Sequence, residues 1–304
     1  CGDVCIAGNF IEEAYGDGIE VEFEAIAGYG PAEAKICSNV CIQNNCIGAA
    51  RDEGIWVGFY VESYMDAKAM ICGDVCVQCN TIGESWYAGI DVYFEAYAYD
   101  CSEATICGDV CVKDNTVDWF LYDGIDVASD AYAYYKATAT ICSNVCVQGN
   151  ELTSVLLDSE TIGGIYVYQY AYAQEKASAK VCGDICITGN MICLDGESTG
   201  IYVEKYAEAY DCACAEVCGA VTISCNEICI EDGYSEGIEV DQYANAYDMA
   251  TAKVSGSITI SDNTVCMGGW VGIYVYMSAY ASWYNCYECT AVAEICSDVN
   301  ISCN

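Results

Sequence analysis

The sequence predicts an all-β fold: a parallel β-helix, or β-solenoid, of about eight rungs of 35–41 residues over a wedge-shaped Ala/Ile/Val core. A nine-residue block, Cys-Gly/Ser-Asp/Asn-Val-Cys-Ile/Val-x-x-Asn in its fullest form, recurs nine times, starting at residues 1, 37, 72, 107, 142, 182, 218, 255 and 296. Its last position is always asparagine: Asn9, Asn45, Asn80, Asn115, Asn150, Asn190, Asn226, Asn263 and Asn304. A second motif, Gly-Ile-x-Val, occurs eight times, from Gly18 to Gly272, and alternates strictly with the block. Such unbroken repetition stacks neighbour on neighbour, so residues 1–304 read as a single solenoid domain.

The first element of each rung follows the motif glycine. Odd steps are apolar, as in Ile90, Val92, Phe94, Ala96 and Ala98, and even steps are Tyr, Glu, Asp or Trp. A period of two is a strand with one buried face. Asp, Glu, Lys and Gly then mark a short turn. The approach to the Cys block repeats the alternation, as in Ala137, Ala139, Ile141, Val145 and Val147, so each rung should hold two facing strands. Ala meets Ala near the turn and Ile/Val meets Ile/Val at the far end, which gives the wedge. After the asparagine one aliphatic residue recurs (Ile11, Ile47, Ile82, Val117, Leu152, Ile192, Ile228, Val265) and supplies a third inward contact. Between the asparagine and the glycine the spacing varies from 9 to 14 residues, as expected of a loop.

With Ile and Val inward, the first and fifth block positions must face outward, and these carry the cysteines. One column holds Cys1, Cys37, Cys72, Cys107, Cys142, Cys182, Cys218 and Cys296, interrupted by Ser255; the other holds Cys5, Cys41, Cys76, Cys111, Cys146 and Cys186. Within a rung the two columns are about 13 Å apart along the strand, too far for a disulfide. Between rungs the spacing is about 4.8 Å, inside the Cα window for one. Cross-links should therefore run along the columns or between molecules. One phase joins 37 with 72, 107 with 142 and 182 with 218, and leaves Cys1 and Cys296 as a possible joint between protomers. Further cysteines share repeat positions at Cys193, Cys229 and Cys266, and at Cys101 and Cys212.

Thiolate metal sites are disfavoured, because Cys-x3-Cys along a strand diverges and closer pairs, such as Cys212/Cys214 and Cys286/Cys289, are few. Between the cysteine columns lies a third outward position with Asp3, Asn39, Asp74, Asp109, Asn144, Asp184 and Asp298. Carboxylates in register there repel unless protonated or bridged, so Asp3, Asp74, Asp109 and Asp184 are weak cation candidates, with calcium the ion such oxygens would take and solvated charge the simpler reading. No cofactor is expected.

The formal net charge of -37, with 46 acidic and 9 basic residues and no histidine, disfavours nucleic acid and anionic membranes as partners. Twenty-six cysteines point to an oxidising, extracellular setting. No apolar run reaches the length of a transmembrane helix. A cysteine at position 1 fits a mature lipoprotein too, but the repeat already demands one there. Catalysis has little support: Arg51 is the only arginine, and the lysines at 35, 68, 113, 136, 176, 180, 205 and 253 are scattered singly. The acidic residues are too abundant to single out a catalytic pair, and the Tyr-rich outer face leaves a secreted glycan-binding or carbohydrate-active β-helix protein as the alternative.

The run Val-x-Val/Ile-x-Gly-Asn-x-Ile followed by Gly-Ile-x-Val resembles right-handed parallel β-helix repeats of the pectin-lyase-like kind. That resemblance implies a stacked asparagine in a tight turn, commonly left-handed, with side chains hydrogen-bonded along the stack. The chain also begins and ends inside the Cys block, without a capping element, so uncapped edges are expected to offer unpaired strands to another copy. Together with the acidic, Cys-, Ala-, Gly- and Tyr-rich composition and the cysteine columns, this resembles the cysteine-rich sheath proteins that enclose filamentous methanogenic archaea. The implied function is a structural subunit of a disulfide-cross-linked extracellular sheath, tube or surface layer whose partner is itself.

Overall fold

The computed structural model describes residues 2–154, 162–231, 235–267, 269–282 and 290–304; Cys1, Cys286 and Cys289 lie outside these. The described chain is all β, with every strand pairing parallel, and each coil contributes four strands rather than the two expected. In the first coil these are β1 (Val4–Ala7), β2 (Phe10–Ile11), β3 (Ile19–Ala27) and β4 (Glu33–Cys37). Their successors stack into a 9-stranded cysteine sheet, an 8-stranded short sheet, an 8-stranded long sheet and an 8-stranded return sheet. No helix long and apolar enough to cross a membrane occurs among the described residues.

The additional strand arises at the second and third block positions, where the approach and the Cys block part company. Thr138–Cys142, the last strand of the fourth coil, ends before this corner, and Val145–Gln148 opens the fifth coil after it. Coils pass very close together there. A Cβ on Gly219 would lie 2.0 Å from the Gly183 carbonyl oxygen, and the φ of 118° at Gly219 is one that a side chain rarely allows. The motif glycine answers the same constraint at the start of the long strand: a Cβ on Gly54 would sit 2.5 Å from the Gly89 carbonyl oxygen.

Between the long and return strands the chain reverses through two consecutive left-handed residues, such as Asp100 and Cys101 or Tyr135 and Lys136. That is the backbone of a type I′ turn, and in several coils the 4→1 bond closes it, as from the Ala137 amide to the Tyr134 carbonyl at 3.2 Å. Alanines such as Ala96, Ala98 and Ala104 line the core beside this turn, with Ile106, Val110, Val112 and Ile90 beyond, so the core tapers toward the turn. The aliphatic after the asparagine closes the wide end from the short sheet, where Ile82, Val117, Leu152 and Ile192 are fully buried. Each such side chain contributes about 1.5–3 kcal/mol by leaving water.

The core is not uniform along the axis. The third inward position of the long strand runs Phe23, Phe59, Phe94, Ser129, Gln169, Lys205, Gln242 and Met277 in unbroken register. Phe23 and Phe59 meet tilted, with ring centroids 5.2 Å apart, and Phe59 stacks on Phe94 at 4.8 Å. Ser129, Gln169, Lys205 and Gln242 are as deeply buried as the rings they replace.

Candidate functional site

The register lines up the block residues coil over coil. Cys5, Cys41, Cys76, Cys111, Cys146 and Cys186 form one column on the cysteine sheet. Cys37, Cys72, Cys107, Cys142, Cys182 and Cys218 form the other on the return sheet; it passes through Ser255 to Cys296. Both columns alternate with buried Ile and Val and face outward, half-buried or exposed. Cys182 and Cys218 are joined in a disulfide with their Cα atoms 4.6 Å apart, inside the window that parallel strand spacing provides.

The other described cysteines carry free thiols, and the column members lie next to one another coil over coil. Burial, reinforced by the neighbouring sulfurs, pushes the Cys76 and Cys107 thiols up to about 11. A thiol held protonated attacks a disulfide slowly, since the thiolate is the nucleophile. Of the exposed cysteines within strands, three have no thiol in register: Cys46 lies between Phe10 and Thr81, Cys214 between Ser178 and Thr251, and Cys296 beside Ser255; Cys79, Cys101, Cys212, Cys225 and Cys303 are exposed in the turns, likewise without a cysteine at the matching place of an adjacent coil.

The asparagines form a second column inside the turn. From Asn9 to Asn304 each side-chain Nδ2 donates to the Oδ1 of the asparagine one coil on, at 2.9–3.0 Å. That Oδ1 also accepts the backbone amide of the preceding asparagine, as from Asn80 to Asn115 at 2.9 Å. The second Nδ2 hydrogen reaches a carbonyl of the previous coil, as from Asn115 to Val77 at 2.9 Å. Buried amides are thereby satisfied on every side.

The asparagines are not the left-handed residues. The preceding position takes that role: Gly8, Asn44, Cys79, Asp114, Gly149, Gly189, Cys225, Asp262 and Cys303 all have φ between 52° and 67°. The division follows from chemistry. An asparagine whose two donors and acceptor are all engaged is held inward, so the turn's positive φ falls on its neighbour.

The outward acidic column has a third role that spacing alone does not reveal. Asp3 Oδ1 accepts the amide of Asn39, Asp74 Oδ1 that of Asp109, Asp109 Oδ1 that of Asn144, and Asp184 Oδ1 that of Ala220, at 2.8–3.1 Å. Asn39 and Asn144 do the same for Asp74 and Asp184. These side chains stitch the corner from coil to coil. Among the described residues no group of three or more cysteine, aspartate or glutamate side chains is placed to hold a metal ion.

The outer face of the long sheet was expected to carry tyrosine and acid, and the structure interleaves them. Asp130, only 7% exposed, accepts from Tyr93 at 2.9 Å and from Tyr132 at 3.4 Å through Oδ2, while its Oδ1 has no partner. Asp241, 4% exposed, accepts from Tyr243 at 2.7 Å. Rings also stack along the axis, with Tyr166 over Tyr202 at 5.1 Å and Tyr210 over Tyr247 at 4.5 Å. Burial, with Asp123 and Asp17 nearby, pushes the Asp91 carboxyl up to about 7, and burial takes Asp123 and Asp130 to about 6. Asp126, desolvated and facing Asp91, Asp123 and Asp130, is raised well above the usual carboxylate range. The clue in the sequence was the strand register, which stacks Asp91 on Asp126 and Glu95 on Asp130.

Compared with known proteins, the chain matches no family model, no curated protein and no solved structure.

Proposed function

We propose that the chain is a structural subunit of an extracellular polymer, a sheath, tube or surface layer held together by disulfides, in the manner of the archaeal sheath proteins its composition resembles. The observation that carries this reading is the set of exposed thiols without a partner in register. Cys46, Cys214 and Cys296 cannot close along their own columns, so in an oxidising setting a second copy supplies the simplest partner. The in-register columns play a different part: they can rivet each solenoid internally, as Cys182 and Cys218 do. The asparagine and aspartate columns tie the same body together from coil to coil.

Electrophoresis without reductant, paired with electron microscopy, tests this. Oxidised chain should run as a high-mass series that collapses to monomer with dithiothreitol, and regular assemblies should loosen in parallel. The combined Cys46→Ser, Cys214→Ser and Cys296→Ser variant should shorten the series, and adding Ser at the exposed turn positions Cys79, Cys101, Cys212, Cys225 and Cys303 should abolish it, while the β circular dichroism is kept. Oxidised material that stays monomeric, with every disulfide internal, rejects the proposal. The stacked tyrosines of the long sheet favour a second reading, glycan binding by ring stacking; saturable binding to a glycan array by the monomer would support it.

A further inference from the structure

We propose that the core of the fifth to seventh coils holds a small inorganic monoanion, of halide size, bound by Lys205 and the side-chain amides of Gln169 and Gln242. The three residues occupy consecutive places in the inward column of the long sheet, about 4.8 Å apart coil to coil. Lys205 and Gln242 are fully enclosed and Gln169 is 1% exposed. None belongs to the outward columns discussed above.

Their hydrogen bonds do not balance. The Lys205 ammonium has three donors and gives one to the Gly219 carbonyl at the corner. Gln242 Oε1 accepts from Ser297 Oγ at 2.7 Å, but Gln242 Nε2 has no partner, and neither does either amide atom of Gln169. Apart from Oδ1 of Asp126, Asp130 and Asp241 on the outward face of the long sheet, the idle buried acceptors among the described residues are Gln169 Oε1 and Ser143 Oγ. No carboxylate shares the inward column, and Asp184, the acid whose charge acts on Lys205, is itself exposed. Buried polar groups are satisfied in folded proteins, and a buried charge is paired. Donors in excess around one positive charge call for a ligand that only accepts, and a halide is such a ligand. Burial lowers Lys205 to about 8, so near neutrality and below it still carries the charge that needs a counter-ion.

Because the site is enclosed, the ion must enter during folding. Chain refolded in bromide and crystallised should show one anomalous bromine peak inside the core beside Lys205 Nζ. Water alone there, or an empty core, overturns the proposal. In solution the thermal midpoint of the unaltered chain should be higher in chloride or bromide than in gluconate at equal ionic strength. Lys205→Met should erase that difference; Met277 already occupies the same column, so the variant suits the fold. Equal midpoints of the unaltered chain in all three salts would also overturn the proposal.

Discussion

Asn115 uses its whole side chain. Oδ1 accepts two bonds from Asn80, and Nδ2 donates to Asn150 and to Val77. Replacing it with alanine strands a buried carbonyl and two donors of Asn80, each costing about 1–3 kcal/mol when left unmade. Asn115→Ala should thus lower guanidinium stability by about 2–5 kcal/mol, whereas Asn304→Ala, at one end of the column, should cost much less. Gly89 poses the opposite problem, since a Cβ would lie 2.5 Å from Val117 Cγ1 and 2.6 Å from the Gly124 carbonyl. Gly89→Ala should cost about 1–3 kcal/mol in the same assay by overpacking. Thiol labelling tests the cysteine columns: iodoacetamide at neutral pH should modify exposed Cys79 and Cys101 well before Cys76 and Cys107, as peptide mass spectrometry would resolve. At this scale the sequence was half legible. The invariant asparagine announced a ladder, but the left-handed residue beside it is Gly, Asn, Asp or Cys, and that mixture hides a conformational requirement all nine share.

The long strand was readable as an element because its inward positions keep a strict period of two. Its outward face was read as a surface, and the structure makes it a second, polar layer in which tyrosines roof carboxylates. The consequence is a pH dependence whose sign is opposite to the usual salt-bridged case. Asp91, Asp123, Asp130, Glu53 and Glu239 titrate in the folded chain at about 7, 6, 6, 7 and 8, above the unfolded values near 4. A raised folded pKa adds stability that is complete below the unfolded pKa and is lost as pH climbs through the folded one. The guanidinium midpoint should therefore fall steadily from about pH 5 to pH 8, and Asp126→Asn should flatten the slope by removing a like charge from the cluster. A midpoint flat or rising across that range would refute the assignment. The corner that splits the return strand from the cysteine strand was signalled by Gly or Ser at the second block position, yet period-two apolar residues on both sides ran through it and made one strand of two.

Across the whole molecule the stack behaves as a one-dimensional array, in which each coil is stabilised by its two neighbours. Its coils are alike in backbone but not in core. Hydrogen exchange should reflect this: amides of the Ile90–Tyr99 strand, over the stacked phenylalanines, should be protected longer than those of Ser198–Tyr210, which carries Lys205. Equal protection would mean that the polar column costs nothing. The repeat made the architecture legible from end to end, because nine copies of the block act as their own alignment. What repetition conceals is departure from itself. Lys205 reads as one more scattered lysine until strand parity is counted, and parity puts it inside.

From Asn9 to Asn263 every side-chain amide in the turn column is set the same way, one N–H toward the next coil and its C=O toward the one before. Aligned amides polarise one another, and their dipoles add instead of cancelling. The rod is thereby an electrical vector, positive toward its later coils. Two rods lying flank to flank are favoured in opposed senses, whereas rods on a common axis are favoured head to tail. Sorting neighbours by polarity in images of any assembled lattice would show whether this vector decides how the rods are laid down.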